Sequence, residues 1–584
     1  MRNDPCPCGS GKKYKKCCFK KVAVKQTMKV KEERFFQLKH ELVNKLNKYV
    51  NETITFREYN QIYSTFVSRT GSKISKIYEK GFFQFWLFFF YKLGDSRIIE
   101  KFAVEIRDKL PSDEKELLNN WITLKPQLVQ AIDFNEEYVT FEDMFSKKTY
   151  KVAKQKENIS QSLPWFGTLT LLEEFNERFY FNGAKLFVEP FRLYHAKEKI
   201  LSIVKEKKIA IEQAMVEYYP ELIATLLESS NESKAEKKVE EITSIYEIND
   251  REMILDYFRQ NIHFVQNSSD TGYRFTQVAE WHEYEDNQLD GKVHISEVKS
   301  TIVVKNNTME ISSLIQRDIH ELEKELGKLD AIITKIDEIS KALYVRETVE
   351  IKNFSIHIPK DAEEYFALYA QTQFNLYENK PILMFNSLTP AELKESGRLE
   401  QLETWVKQEE YQIHLQLNKH FGKVSVTPDF NTYRKNTGLP LSYFVTGSES
   451  RSSSITKLNF EENASLEEYQ VLGFTPHTSD RFYVKDMLEF YIEKTEGKSK
   501  GTVRKYRNSL HDLREIFEIT NCTSWKTMNL EYWTNVLHVQ FNSLYETISP
   551  TAQKDFIAVT KAFGKWIDEK YHTENYISIT EVVK

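Results

Sequence analysis

Four of the five cysteines in this chain, Cys6, Cys8, Cys17 and Cys18, fall within thirteen residues of one another; Cys522 stands alone far down the chain. The spacing is C-x-C-x8-C-C. Met1-Arg2-Asn3-Asp4-Pro5 has no apolar stretch of the kind that opens a secretory signal, so a cytoplasmic location is expected. Clustered thiols in a chain without an export signal point to metal before disulfides. Zinc takes four soft ligands in a tetrahedron at about 2.3 Å, and two close cysteine pairs joined by a short loop supply them. Gly9-Ser10-Gly11 permits the turn that brings the second pair back to the first. Lys12, Lys13, Lys15, Lys16, Lys20 and Lys21 place positive charge around a tetrathiolate site that carries a net negative charge. Redox-active cysteines are the other reading of such a cluster.

The run Asn3-Asp4-Pro5-Cys6-Pro7-Cys8-Gly9-Ser10-Gly11-Lys12-Lys13-Tyr14-Lys15-Lys16-Cys17-Cys18 resembles the SEC-C zinc motif, named for the C-terminal tail of the SecA translocation ATPase. That tail usually ends Cys-His, whereas this run ends Cys17-Cys18. The resemblance implies a structural zinc ion on Cys6, Cys8, Cys17 and Cys18, with every coordination position filled by protein and none left for a reactive water. It also implies docking onto a partner protein. A unit this small has no core and folds around its ion.

At 584 residues the chain holds more than one core. The 18 Gly and 14 Pro argue for long helices and few tight turns, and a net charge of −5 excludes a uniformly basic nucleic-acid coat. The expected fold class is mainly α and multidomain. It comprises a zinc knuckle (1–21), a helical region (28–265), a small α+β module (266–443), a linker (444–480) and a C-terminal four-helix SAM-like domain (481–584). Within the helical region, 209–227 and 238–262 show apolar residues at helical spacing, with a polar break at 229–233. The apolar run 81–91 is too short to cross a bilayer as a helix. It reads as a buried core helix or, second, as a membrane-surface or partner-docking segment, and no membrane span is expected. Strands are expected at 273–279, 293–295 and 301–304 around a turn at Asp290-Gly291, then a long charged helix over 312–343. Together with Leu388-Thr389-Pro390 and Gly397-Arg398, this order resembles a module that accompanies SEC-C motifs and brings no known activity.

Four amphipathic helices fit 481–495, 501–518, 526–540 and 550–571, with Ser549 capping the last ahead of Pro550. Apolar stripes run through Tyr506, Leu510, Leu513 and Phe517, and through Phe556, Val559, Phe563 and Trp566. Thr502-Val503-Arg504-Lys505-Tyr506 and Ala562-Phe563-Gly564-Lys565-Trp566 resemble the SAM-like core-binding domain of tyrosine recombinases, which clamps one face of a DNA duplex. The resemblance implies duplex DNA contact through Lys500, Thr502, Arg504, Lys505, Lys554 and Lys561. Against this, 481–584 carries 15 basic and 14 acidic residues, and a plain helical bundle or docking unit is the other reading. The catalytic domain of a recombinase is not seen after it, so no strand transfer is expected.

Other chemistry is weak. Gly497-Lys498-Ser499 lacks a P-loop glycine, since Ile492 stands in its place. Asp290, Glu297 and Lys299 have the form of a metal-dependent nuclease site, with an exposed strand pair the better reading. His195, His282 and His294 read as ordinary histidines. The sequence thus favours a non-enzymatic protein that docks a partner through its zinc knuckle and binds DNA through its C-terminal domain, as an accessory or regulator of a mobile element. A protein-interaction adaptor in translation, secretion or quality control, with no nucleic-acid role, is the alternative, and the nuclease stands third.

Overall fold

The computed structural model describes residues 6–584 apart from 7, 9, 14–15, 155–156, 158, 160–162, 228–235, 262, 268–271, 290–291, 330, 347–352, 359–361, 377, 459–468, 521 and 546–547; of 18–28, 236, 345–346 and 353 it describes the backbone only. The chain divides into two compact units, Met1–Glu232 with Glu378–Ser448, and Ser233–Tyr377 with Glu449–Lys584.

The first unit opens with helices Cys18–Thr53, Phe56–Arg69, Lys76–Phe89, Ile98–Ile106 and Ser112–Thr123. Thr55 and Glu58 form a capping box that fixes the start of the second helix. The apolar run is a core helix, with Phe82, Phe83, Phe85, Trp86, Leu87, Phe88 and Phe89 all buried. Five strands follow: β1 (Pro126–Phe134), β2 (Tyr138–Asp143), β3 (Thr149–Ala153), β4 (Gly167–Phe175) and β5 (Arg178–Asn182). They close into a barrel of order β1-β2-β3-β5-β4, antiparallel except where β3 runs parallel to β5. Val129, Ala131, Val139, Phe141, Tyr150, Val152 and Phe181 fill it. The expectation of a mainly α chain with a helical middle is therefore wrong. In β2 every second side chain is buried, whereas β1 and β4 carry runs of consecutive buried residues.

A buried carboxylate is one of the links that join segment 378–448 to this unit. Glu410, on the helix Leu399–His420, accepts from Trp165 Nε1 at 2.7 Å, from Arg434 at 3.2 Å and from Ser442 Oγ at 2.6 Å. Glu410 and Arg434 are both fully buried. These three donors satisfy the buried carboxylate in place of water.

The second unit is built on an eight-stranded antiparallel sheet, β6 (Glu236–Ile248), β7 (Phe264–Asn267), β8 (Tyr273–Asp286), β9 (Val293–Val304), β10 (Thr308–Ser313), β11 (Ile333–Arg346), β12 (Asn353–His357) and β13 (Ser453–Leu458). The main path is β11-β6-β10-β9-β8-β13, with β12 on β9 and β7 on β8. Helices Arg251–Gln260 and Gln316–Leu326 contribute Leu255, Phe258 and Leu322 to the core it shares with Phe275, Ile302 and Ile311. Two helical expectations fail here. Residues 238–248 form most of β6, and the helix expected over 312–343 is a strand end, the helix Gln316–Leu326 and β11. In β6 the buried positions are Ile242, Ser244, Tyr246 and Ile248, so a buried serine interrupts the apolar alternation and leaves a spacing that mimics a helix. In β11 a bulge between Lys335 and Asp337 shifts the register and has the same effect.

The C-terminal helices are Val484–Thr495, Lys500–Thr520, Leu530–Thr534, Pro550–Tyr571 and Asn575–Val582. Ser549 accepts from Ala552 N and caps the helix begun by Pro550. Leu510, Leu513, Phe517, Phe556, Val559 and Phe563 meet in one core. Within the stretch expected as a linker, β13 pairs with β8, and Arg451 reaches Asp286 at 2.7 Å with both side chains fully buried. Asp286 also accepts from Tyr284 Oη at 2.8 Å. We predict that Arg451→Ala, which strands the Asp286 charge in the interior, costs about 3–5 kcal/mol of unfolding free energy; equilibrium denaturation is the measurement, and a loss below 1 kcal/mol would show the pair to be idle.

Candidate functional site

The N-terminal segment brings three sulfurs together. Cys8 Sγ lies 3.3 Å from Cys6 Sγ and 3.5 Å from Cys17 Sγ. All three ligand atoms fall within 4.8 Å of one another, and among the described residues no other group of three or more His, Cys, Asp or Glu converges this way. A disulfide is about 2.05 Å long, so these are separate thiols. Thiolates around one tetrahedral ion at about 2.3 Å lie roughly 3.8 Å apart, close to the spacing here. The loop is closed by backbone bonds from Cys6 N to Lys12 O and from Lys16 N to Lys13 O, at 2.9 and 2.8 Å. Gly11 sits at φ +67°, a conformation that a side chain would strain.

Ser10 lies inside the cluster. Its hydroxyl is 3.3 Å from Cys8 Sγ and donates to Cys17 Sγ at 3.2 Å. Hydrogen bonding, first to Ser10 and then to Cys6, brings the exposed Cys8 thiol down to about 6. A thiol that releases its proton near neutral pH is ready to take a metal. Cys18 opens the helix Cys18–Thr53, and its side chain lies outside the described residues. The donor set is sulfur, which suits a thiophilic ion.

The residues expected to touch DNA do not form one open face. Arg504 pairs with Asp256 at 2.8 Å and Glu252 at 3.2 Å, and Lys505 pairs with Asp555 at 2.8 Å. Thr502 bonds Ser499, Lys500 and Lys554 are exposed, and Lys561 is half-buried. Most of the helix Lys500–Thr520 beyond them is interior: Arg507, Asp512, Arg514 and Glu515 are all buried. Asp512 lies 3.7 Å from Arg259, and Glu515 accepts from Gln266 at 3.2 Å. Burial raises Asp512 to about 6 and Glu515 to about 7. Of the nuclease trio, Asp290 lies outside the described residues, and Lys299 on β9 pairs with Glu321 at 3.3 Å.

Sequence reasoning missed a histidine cluster. His294 on β9 and His357 on β12 are register partners, and the His477 ring lies edge-on to the first and tilted to the second, with ring centroids at 5.9 and 5.5 Å. His294 Nε2 is 3.2 Å from Glu283. Desolvation lowers all three, His357 and His477 to about 4. Neighbouring His294 adds to the shift at His357, and His357, His294 and Arg481 add to it at His477. At His294, Glu283 and Asp480 oppose the shift while Lys292 supports it. The strand pairing that brings these residues together has no short-range sequence signal.

Comparison with known proteins agrees with the N-terminal reading. Residues 2–20 match the SEC-C motif, so the chain carries that motif and, with its cysteine cluster, a metal-binding segment. A Bacillus subtilis (strain 168) protein described as "Uncharacterized protein YccF" is 30% identical over 264 residues, which span 43% of this chain and 70% of the relative. No solved structure matches. Among the described residues no helix is long and apolar enough to cross a membrane.

The histidine cluster generates a pH prediction. An unfolded imidazole titrates near 6.5, above the folded values of about 4 for His357 and His477. Between these limits the unfolded chain binds more protons, so this contribution is complete above pH ~6.5 and is lost as pH falls towards 4. Asp512 and Glu515, raised in the fold, act in the opposite direction, and comparing parent with variant cancels them. His357→Gln is expected to flatten the stability–pH slope by about one proton over this window, measured by denaturation at pH 4–7; parallel profiles would contradict it.

Proposed function

This chain belongs to the family of the Bacillus subtilis protein YccF, and we propose that it works in that family as a non-enzymatic adaptor docking a partner protein through a zinc-folded N-terminal knuckle. The observation that carries the reading is the convergence of Cys6, Cys8 and Cys17 inside the matched motif. Cys18 supplies the fourth thiolate and completes a coordination sphere that admits no substrate. The ion is structural: it closes a loop that, among the described residues, is held by two backbone bonds and the Ser10 hydroxyl. The exposed lysines Lys12, Lys13 and Lys16 then offer a rigid basic surface suited to an acidic partner.

The adaptor reading is favoured over duplex DNA contact because Arg504 and Lys505 are already neutralised by Asp256, Glu252 and Asp555. A DNA phosphate would have to displace those carboxylates. A role beside a mobile element rests on that DNA contact and weakens with it.

Two measurements test the proposal. Zinc-loaded protein is expected to protect its four N-terminal thiols from alkylation, and chelation to expose them together; full reactivity before chelation contradicts the knuckle. Titration of the full chain with a 20-base-pair duplex is expected to show no binding that Arg504→Ala or Lys505→Ala weakens. Salt-dependent duplex affinity lost in those variants would restore the DNA reading.

A further inference from the structure

We propose that the outer face of β2 and β3 on the barrel binds single-stranded nucleic acid. The barrel order β1-β2-β3-β5-β4, with β3 parallel to β5, is that of five-stranded Greek-key barrels whose second and third strands form a ligand platform for oligonucleotides or oligosaccharides. Fold alone does not choose a ligand; the side chains do.

Val139, Phe141, Tyr150 and Val152 point into the barrel. By the two-residue period, Tyr138, Thr140, Thr149 and Lys151 point outward, and Thr149 and Lys151 are exposed. Lys147, Lys148, Lys151 and Lys154 occupy eight consecutive positions with no acidic residue among them. Three of these lysines lie over aromatic rings: Lys148 over Tyr150 at 5.2 Å, Lys151 over Tyr138 at 5.3 Å and Lys154 over Phe134 at 5.2 Å. Lys151 lies on the outer face of β3, while Lys148 and Lys154 flank the strand at its two ends.

Most of the acidic neighbours are already engaged. Glu142 is held by Lys147 at 3.0 Å and Glu137 by Arg178 at 3.4 Å. Among the described residues Lys148 and Lys151 have no carboxylate within ion-pair distance. Lys154 is lowered chiefly by burial, and the neighbouring cation Lys423 adds some repulsion. A polyanion relieves that repulsion and a neutral sugar does not. A cation beside an outward-facing ring is an arrangement that takes a single strand, with phosphates along Lys148 and Lys151 and a base on the half-exposed ring of Tyr138, whereas Tyr150 belongs to the barrel lining. The turn between β4 and β5 is only Asn176-Glu177, both at positive φ.

The test uses the full-length, zinc-loaded protein and fluorescein-labelled 15-nucleotide oligo-U and oligo-dT, read by anisotropy at 50–300 mM KCl. Binding is expected with a log–log salt slope near −2, about three phosphates on a single strand. The double variant Lys148→Glu, Lys151→Glu should lose at least tenfold in affinity, and Tyr138→Ala several-fold, with unchanged circular dichroism because these side chains lie on the surface. Arg504→Ala should bind like the parent. No binding at 50 mM KCl, or affinity unmoved by the lysine variant, overturns the proposal. A duplex of equal length binding as tightly overturns its single-strand specificity, and equal competition by polyglutamate reassigns the face to acidic polypeptides.

Discussion

In the proposed knuckle, attraction between thiolates and a metal ion stands in for a hydrophobic core. Cys6 alone among the described residues of that loop is buried, at 5% exposure, and apolar burial cannot hold so short a segment. The loop has two backbone bonds and a serine hydroxyl seated between sulfurs. Without an ion, sulfurs at 3.3–3.5 Å gain little from their proximity. With one, they define the shape of everything the knuckle presents, including its lysines.

In the body of each unit, buried charge pairs connect segments distant in sequence. Glu410 ties Trp165 of the barrel to Arg434 and Ser442, and Arg451 anchors the approach to β13 on Asp286. On the helix Lys500–Thr520, Arg504 and Arg507 engage Asp256 while Asp512 faces Arg259. Removing one member of such a pair leaves an uncompensated charge, so each also fixes the position of its chain segment. The same pairing occupies Arg504 and Lys505 of the basic cluster read in the sequence, while Lys500 and Lys554 stay exposed.

The cysteine motif was legible because metal-ligand spacing is local, and so were the helices with clean stripes: Leu510, Leu513 and Phe517 are buried together, and Ser549 caps as its position before Pro550 implies. The barrel was not read, although Val139 and Phe141, then Tyr150 and Val152, alternate as a barrel lining must. The strands β6 and β11 were read as helix because Ser244 occupies a core position and a bulge follows Lys335. Pairings made by folding, such as His294 with His357 and Arg504 with Asp256, leave no trace within a short window. Charge in the sequence counts residues, whereas function depends on which of them the fold leaves unpaired.

The two proposed attachment surfaces differ in physical origin, one an ion-dependent knuckle and the other a lysine-bearing barrel face that needs no metal. The account rests first on the ion. X-ray absorption at the zinc edge of the purified full-length protein tests it most directly. Four sulfur scatterers at about 2.3 Å, with about one zinc per chain, are the result expected from Cys6, Cys8, Cys17 and Cys18; a first shell containing nitrogen or oxygen, or protein that holds no zinc, would contradict it.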